Sequence, residues 1–478
     1  MKYILIAILL LTVVTARLHL TETQEKRLNE LDPNPNHQWY TQRVDHHNPQ
    51  LKETFQQRYF DNDKYWDSET GPLFLYICGE AICREPADNS FVVNLAKKFN
   101  GRVLALEHRF YGMSHPRPDW STENLQFLTP DQALADLAQF ASDKSREFSA
   151  EHGIPFRRWI TVGGSYPGAL SAWFRAKYPH IAFASLSSSG IVNTITDYDE
   201  YDGQVYASSL KSGEECTDKW RSIFSSFEDK INSGLASDVY EFFGYFGNDL
   251  TVGDFFNFLA DISAGSVQYG KRSKFCDGLI NTEFKEQDLL NWTLEYSKEE
   301  GLDLNEYTVP YFANTTIDYI KAGRQWSYQI CAHIGFFQTP AKSVPSMRSQ
   351  TIAIDYWRDL CQGIFGIDLF PDTDHWNKLF GGKEITGSKI IFTNGGEDPW
   401  QHSSIMESEN PTFHPIVIDC DNCAHCVDLH GDFPDDAPEL TAARDQIKGI
   451  FQDWISEELN LERIYPSEVK VGLREFLS

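Results

Sequence analysis

Trp159-Ile160-Thr161-Val162-Gly163-Gly164-Ser165-Tyr166-Pro167-Gly168 is the stretch on which the fold turns. An apolar run stops at two glycines, a serine occupies the turn, and helix-forming sequence resumes at Ala169. In a strand–turn–helix of this kind, a nucleophile elbow, a strained turn lifts the serine hydroxyl clear of the sheet. The usual pattern has glycine two residues after the serine, but Pro167 stands there. Proline is tolerated in a helix's first turn, and its missing N–H is no loss if the amide of Tyr166 is the oxyanion donor. A Gly-Ser turn with no chemical role is the competing reading, and this segment alone does not separate the two.

Outward from that turn, short apolar runs over 72–78, 103–106, 159–162 and 183–186 read as strands. Thr129-Pro130-Asp131-Gln132 reads as a capping box opening a helix, and 169–177 reads as the next helix. Strand–helix alternation predicts a parallel sheet covered on both faces. The rhythm lapses over 192–350, which is polar, aromatic and helix-like. It resumes with strands at 389–394 and 415–419 and an amphipathic helix at 438–458. The expected architecture is therefore α/β: sheet-forming parts over 17–191 and 351–478, interrupted by a mostly helical cap over 192–350.

A serine elbow needs an acid and then a base further along the chain. Lys389-Ile390-Ile391-Phe392-Thr393-Asn394-Gly395-Gly396-Glu397-Asp398-Pro399-Trp400 is a strand ending in a glycine turn with a carboxylate at its tip. Asp398 is the favoured acid and Glu397 its competitor. Beyond the next strand, Cys420-Asp421-Asn422-Cys423-Ala424-His425-Cys426-Val427-Asp428-Leu429-His430 offers His425 or His430 as base, with a lean to the first. His402 and His414 are placed less favourably. The strand 73–78 running into Gly79-Glu80-Ala81 predicts a second oxyanion amide at Glu80 or a neighbour. Glu107-His108-Arg109 supports the site or forms a buried ion pair under a loop. Cys420, Cys423, Cys426 and His425 resemble metal-ligand spacing, but a structural zinc site usually pairs two such knuckles, so disulfides are preferred and no metal or cofactor is expected.

Lys plus Arg number 42 against 69 Asp plus Glu, a net charge of −27 over 478 residues. Such a chain repels nucleic acid and anionic membranes. Residues 1–16, with Lys2, an apolar run too short to span a bilayer and Val14-Thr15-Ala16, read as a secretory signal without a membrane anchor. Nine cysteines on that route imply disulfides and at least one unpaired thiol. The sequons at Asn291 and Asn314 fit glycosylation there.

Taken together, Val44-Asp45-His46, Glu107-His108-Arg109-Phe110-Tyr111-Gly112, Gly163-Gly164-Ser165-Tyr166, Arg324-Gln325-Trp326, Gly396-Glu397-Asp398-Pro399-Trp400 and Ala424-His425-Cys426 resemble the prolyl carboxypeptidase family of serine peptidases. That family includes dipeptidyl peptidase II and thymus-specific serine protease, and the Ala-His-Cys form is most similar to the thymus-specific branch. The resemblance implies an α/β-hydrolase fold with a helical cap, a triad of Ser165, Asp398 and His425, and cleavage beside proline with Trp400 lining the pocket. Pro167 and Ala332-His333-Ile334 depart from the family pattern. The expected protein is a secreted or lysosomal exopeptidase of short peptides, with dipeptidyl-peptidase or carboxypeptidase direction and a homodimer left open. An esterase or lipase, or a non-catalytic binding protein on the same fold, is the alternative. A lysosomal address would require a lowered histidine pKa, so an activity optimum on the acid side of neutrality is expected.

Overall fold

Strand side chains alternate between faces, and in β3 (Leu73–Ile77) both faces are apolar. Leu73, Leu75 and Ile77 enter the core on one side of the sheet and Phe74 the core on the other. In β9 (Ile390–Gly395), Ile390 and Phe392 divide from Ile391 in the same way. Two-sided burial is what parallel strands covered by helices require. In this computed structural model, which describes residues 36–464, an 8-stranded sheet runs in the order β1-β2-β4-β3-β5-β6-β9-β10. The remaining members are β1 (Gln38–Arg43), β2 (Thr54–Asn62), β4 (Arg102–Leu106), β5 (Trp159–Gly164), β6 (Ala182–Ser188) and β10 (Phe413–Ile418). From β4 to β10 every neighbour is parallel, while β2 is antiparallel to both β1 and β4. The signal expected over 1–16 lies outside the described residues.

The main helices are α1 (Phe91–Phe99), α2 (Pro130–His152), α3 (Tyr166–Lys177), α4 (Asp199–Leu210), α5 (Glu214–Asn232), α6 (Val252–Gln268), α7 (Arg272–Asn281), α8 (Glu286–Glu299), α9 (Ile354–Phe365), α10 (Thr373–Phe380) and α11 (Pro438–Ile464). Helices α1 and α11 cover the face that carries Phe74, and α2 and α3 cover the opposite face. This is an α/β-hydrolase fold. Between β6 and β9 the chain is almost wholly helical, apart from a two-stranded parallel ribbon of β7 (Ile195–Asp197) and β8 (Gly335–Phe337). The helical run continues past 350 through α9 and α10 before the sheet resumes at Ile390.

The opening of α2 is only half a capping box. Thr129 accepts from the Gln132 amide at 3.2 Å, as the pattern predicts. The Gln132 side chain does not return the bond. It accepts from His46 N at 2.9 Å and donates to Asp45 at 2.6 Å, because an early loop offers it two partners at once. Disulfides join Cys78 to Cys83, Cys216 to Cys276, Cys331 to Cys361 and Cys420 to Cys423, leaving Cys426 as a thiol. Among the described residues no helix is long and apolar enough to cross a membrane.

Helix α3 lies so near β6 that a Cβ on Gly168 would stand 2.6 Å from Ser188 O and 2.9 Å from the Gly190 Cα. Glycine-to-alanine inside a helix ordinarily gains ~1 kcal/mol. Here we predict that Gly168→Ala instead costs about 1–3 kcal/mol by overpacking against backbone. Chemical denaturation checks this; a variant as stable as the parent would refute the close approach.

Candidate active site

The elbow begins with backbone that only crowding can hold. Ser165 has φ 65° and ψ −130°, a left-handed-side conformation that costs a serine of order 1–3 kcal/mol. Its amide donates to Ser188 O at 2.9 Å, and its carbonyl accepts from Ala169 N at 3.0 Å, so the strained residue is fixed to β6 and to the first turn of α3. Both flanking glycines are required by close approach. A Cβ on Gly163 would lie 2.2 Å from Pro167 O, and one on Gly164 would lie 2.8 Å from Cys426 Sγ. Pro167, the departure from the usual pattern, fits α3's first turn and packs on the Gly79 turn, where an added Cβ would meet its Cγ at 2.4 Å.

Asp398 and His425 come together from the ends of β9 and β10. His425 Nδ1 lies 3.0 Å from each Asp398 carboxylate oxygen, with the His425 side chain 7% exposed and Asp398 wholly buried. Asp398 Oδ1 also accepts from Trp400 N at 2.9 Å. Its neighbour Glu397 points away and is gripped by Arg272, at 3.0 Å from Nε and 2.8 Å from Nη2. His430 is exposed, separated from His425 by a 3₁₀ turn over Val427–Leu429. Two competitors that the sequence leaves open are thus turned elsewhere. His402 bonds Gln204, and His414 lies against Trp454.

Three features around this pair have no signature in the sequence. Asp428 is buried and accepts from Ser188 Oγ at 2.6 Å and Thr393 Oγ1 at 2.8 Å, fastening the end of the histidine loop to β6 and β9. Arg444 of α11 donates to the carbonyls of Val427, Asp428 and His430. His425 N donates to Gln268 O at 3.0 Å, a bond to the end of cap helix α6.

Tyr166 is buried, and its hydroxyl lies 3.2 Å from His108 Nε2. Burial pushes the His108 pKa down to about 4, so the ring is neutral. Glu80 Oε2 is sealed from solvent and has no hydrogen-bond partner. Burial raises the Glu80 pKa, while its own backbone N–H and the His425 charge pull it down. Glu107 forms a buried ion pair with Arg58, at 2.6 Å from Nη2. Trp400 sits in an aromatic cluster, with ring centroids 5.7 Å from Tyr198, 5.1 Å from Tyr201, 5.4 Å from Phe336 and 6.1 Å from His425. His333, at the other family departure, is half-buried, and the desolvation of its ring lowers its pKa to about 4, so no charge stands there. Asn314 is exposed just past a short helix; Asn291 is exposed on α8, although Thr293 of its sequon is buried. Cys420 and Cys423 are bonded to each other, which removes two of the four candidate metal ligands.

The family profile described as Serine carboxypeptidase S28 matches residues 42–447. The chain belongs to this family. It is 36% identical over 414 residues to "Probable serine protease EDA2" of Arabidopsis thaliana, covering 83% of this chain and 81% of that protein. It is 28% identical over 460 residues to the human "Thymus-specific serine protease", covering 87% and 86%. A "Putative serine protease K12H4.7" of Caenorhabditis elegans is 28% identical over 456 residues, covering 87% of each. This S28 protein is a serine-type exopeptidase that works through an acyl-enzyme.

Burial pulls the His425 pKa down, but the Asp398 carboxylate and Cys426 sulfur outweigh burial and hold it well above the ordinary 6.5. For His425 a raised pKa means that the neutral form is lost as pH falls, with the midpoint above 6.5 rather than below it. This reverses the acid-side optimum expected from a lysosomal address. We predict that kcat/KM climbs through neutrality with an acid limb centred above pH ~6.5. A pH–rate profile still flat at pH ~5 would contradict it.

Proposed function

We propose that Ser165, Asp398 and His425 are the catalytic triad of this peptidase. The observation that carries the reading is the two-oxygen contact of Asp398 on His425 Nδ1, with a serine at positive φ on the adjoining elbow. A histidine whose Nδ1–H is held by a buried carboxylate keeps Nε2 free as the proton acceptor. Ser165 Oγ attacks the scissile carbonyl carbon while His425 Nε2 takes its proton. The amides of Tyr166 and Glu80 receive the oxyanion. The C–N bond then breaks as His425 protonates the leaving amine, leaving an acyl-serine ester. Water, deprotonated by the same nitrogen, hydrolyses the ester and restores Ser165.

The substrate reading is cleavage of short peptides beside proline. It is supported by Trp400 and its ring partners Tyr198, Tyr201 and Phe336, an apolar wall next to His425 that suits a pyrrolidine ring. The helical segment between β6 and β9 would admit short chains and turn away folded proteins. Paired cysteines and the leader-like first residues support a secretory route, ending in the lysosome or outside the cell.

Ser165→Ala is expected to fold and to lose hydrolysis by several orders of magnitude, roughly 10³-fold or more. His425→Ala should behave alike, whereas His430→Ala should keep turnover near wild type. A matched set of peptides with proline, alanine or leucine beside the cleaved bond, followed by mass spectrometry, tests the substrate. Preferential cleavage of the proline peptides is the expected outcome. Indifference to proline, or faster hydrolysis of simple acyl esters than of any peptide, would reject that substrate class.

A further inference from the structure

The loops that carry Asp398 and His425 are braced by the helical segment as well as by the sheet, and Arg272 stands at the centre of the brace. Arg272 is the first residue of α7 and its side chain is 5% exposed. Its guanidinium forks onto Glu397, the residue next to Asp398, through Nε at 3.0 Å and Nη2 at 2.8 Å. The same Nη2 reaches Asp421 Oδ1 at 2.8 Å, four residues before His425, and Nη1 donates to Ser212 Oγ at 2.7 Å. Arginine suits this task because its planar fork fixes direction as well as charge, which the single ammonium of lysine cannot do.

The surrounding bonds repeat the connection. Ser273 N donates to Asn422 Oδ1 and Asn422 Nδ2 to Ser273 Oγ, each at 3.0 Å. Gln268 accepts from His425 N through its carbonyl and from Trp400 Nε1 through its side chain, both at 3.0 Å. The turn between α6 and α7 thus holds both loops, and the Arg272–Glu397 fork is its buried ionic member. Asp421 is 84% exposed, so its contact adds direction more than energy.

We infer that Arg272 is a positioning residue: by clamping Glu397 and Asp421 it fixes the spacing between Asp398 and His425, so that this part of the helical segment belongs to the catalytic machinery rather than to a detachable lid. The inference rests on the triad proposed above. It predicts a defect in chemistry larger than any defect in substrate binding, since a displacement of about 1 Å at reacting groups can cost ~10²-fold.

The test compares Arg272→Met, Arg272→Lys and, as a control, Arg102→Met, which breaks a similar fork to Asp61 on the sheet (2.8 and 2.7 Å). For each we would measure kcat, KM, thermal midpoint and the second-order rate of serine modification by a fluorophosphonate, alongside Ser165→Ala. Arg272→Met is expected to lower kcat and the fluorophosphonate rate together by roughly 10- to 100-fold, with KM within about twofold. Arg272→Lys should fall between it and wild type, and Arg102→Met should lose stability while keeping kcat. A folded Arg272→Met with wild-type kcat and labelling rate overturns the inference, as does an equal kcat loss in Arg102→Met. If Arg272→Met does not fold, Arg272→Lys decides, and a kcat within about twofold of wild type overturns it. Retained turnover in Ser165→Ala would instead reject the triad; its loss beside a wild-type Arg272→Met rejects only the brace.

Discussion

The bond between His425 Nδ1 and the Asp398 carboxylate joins two loops that leave adjacent parallel strands, β9 and β10, and much of the architecture serves to hold it. Register brings the two strands to a common end, with Asn394 opposite Val417 and Gly395 opposite Ile418. Gly395 must stay without a side chain, since a Cβ there would stand 2.3 Å from Ala424 O in the histidine loop. A direct backbone bond, Glu397 N to Cys423 O at 2.9 Å, ties the loops once, and the Cys420–Cys423 disulfide closes the second loop on itself. Asp428 pins the far end to β6 and β9, Arg444 of α11 supports it from beneath, and α6 and α7 brace it from above. A site made of loops becomes rigid when its backbone donors and acceptors are spoken for from several sides.

Electrostatics then follows from burial. A chain with a net charge of −27 nevertheless keeps its key ionic contacts inside, where screening is weak. Asp398 is wholly buried and faces a histidine, so its carboxylate stabilises the charged imidazolium, which is reluctant to lose its proton. Glu80, sealed and without a partner on Oε2, is pushed by burial toward its neutral acid form. In the proposed triad this arrangement supplies a well-oriented base and a stabilised imidazolium.

Much of this was legible in the sequence where one element carried the whole signal. The strands at 73–77, 102–106, 159–164 and 390–395 are short and apolar on both faces, and the elbow is a local event of strand, turn and helix. Strands β1 and β2 carry no apolar pattern in the sequence because their polar residues are buried: Gln42 and Gln57 bond each other, and Arg58 reaches Glu107. Local pattern likewise named both candidate acids and both candidate bases without choosing firmly. The choice between Glu397 and Asp398 depends on Arg272, 125 residues away, which draws one carboxylate off and leaves the other to His425. The separation of His425 from His430 depends on a single 3₁₀ turn. Contacts so distant along the chain, or turns so short, have no period to read.

The central claim is that the strained Ser165, served by the Asp398–His425 pair, is the nucleophile. Mapping the covalent adduct of a fluorophosphonate on the native protein by peptide mass spectrometry tests it most directly. The account predicts a single modified serine, Ser165, with labelling that disappears when Asp398 or His425 is replaced by alanine. An adduct on any other serine, or labelling of Ser165 that is indifferent to His425, would contradict it.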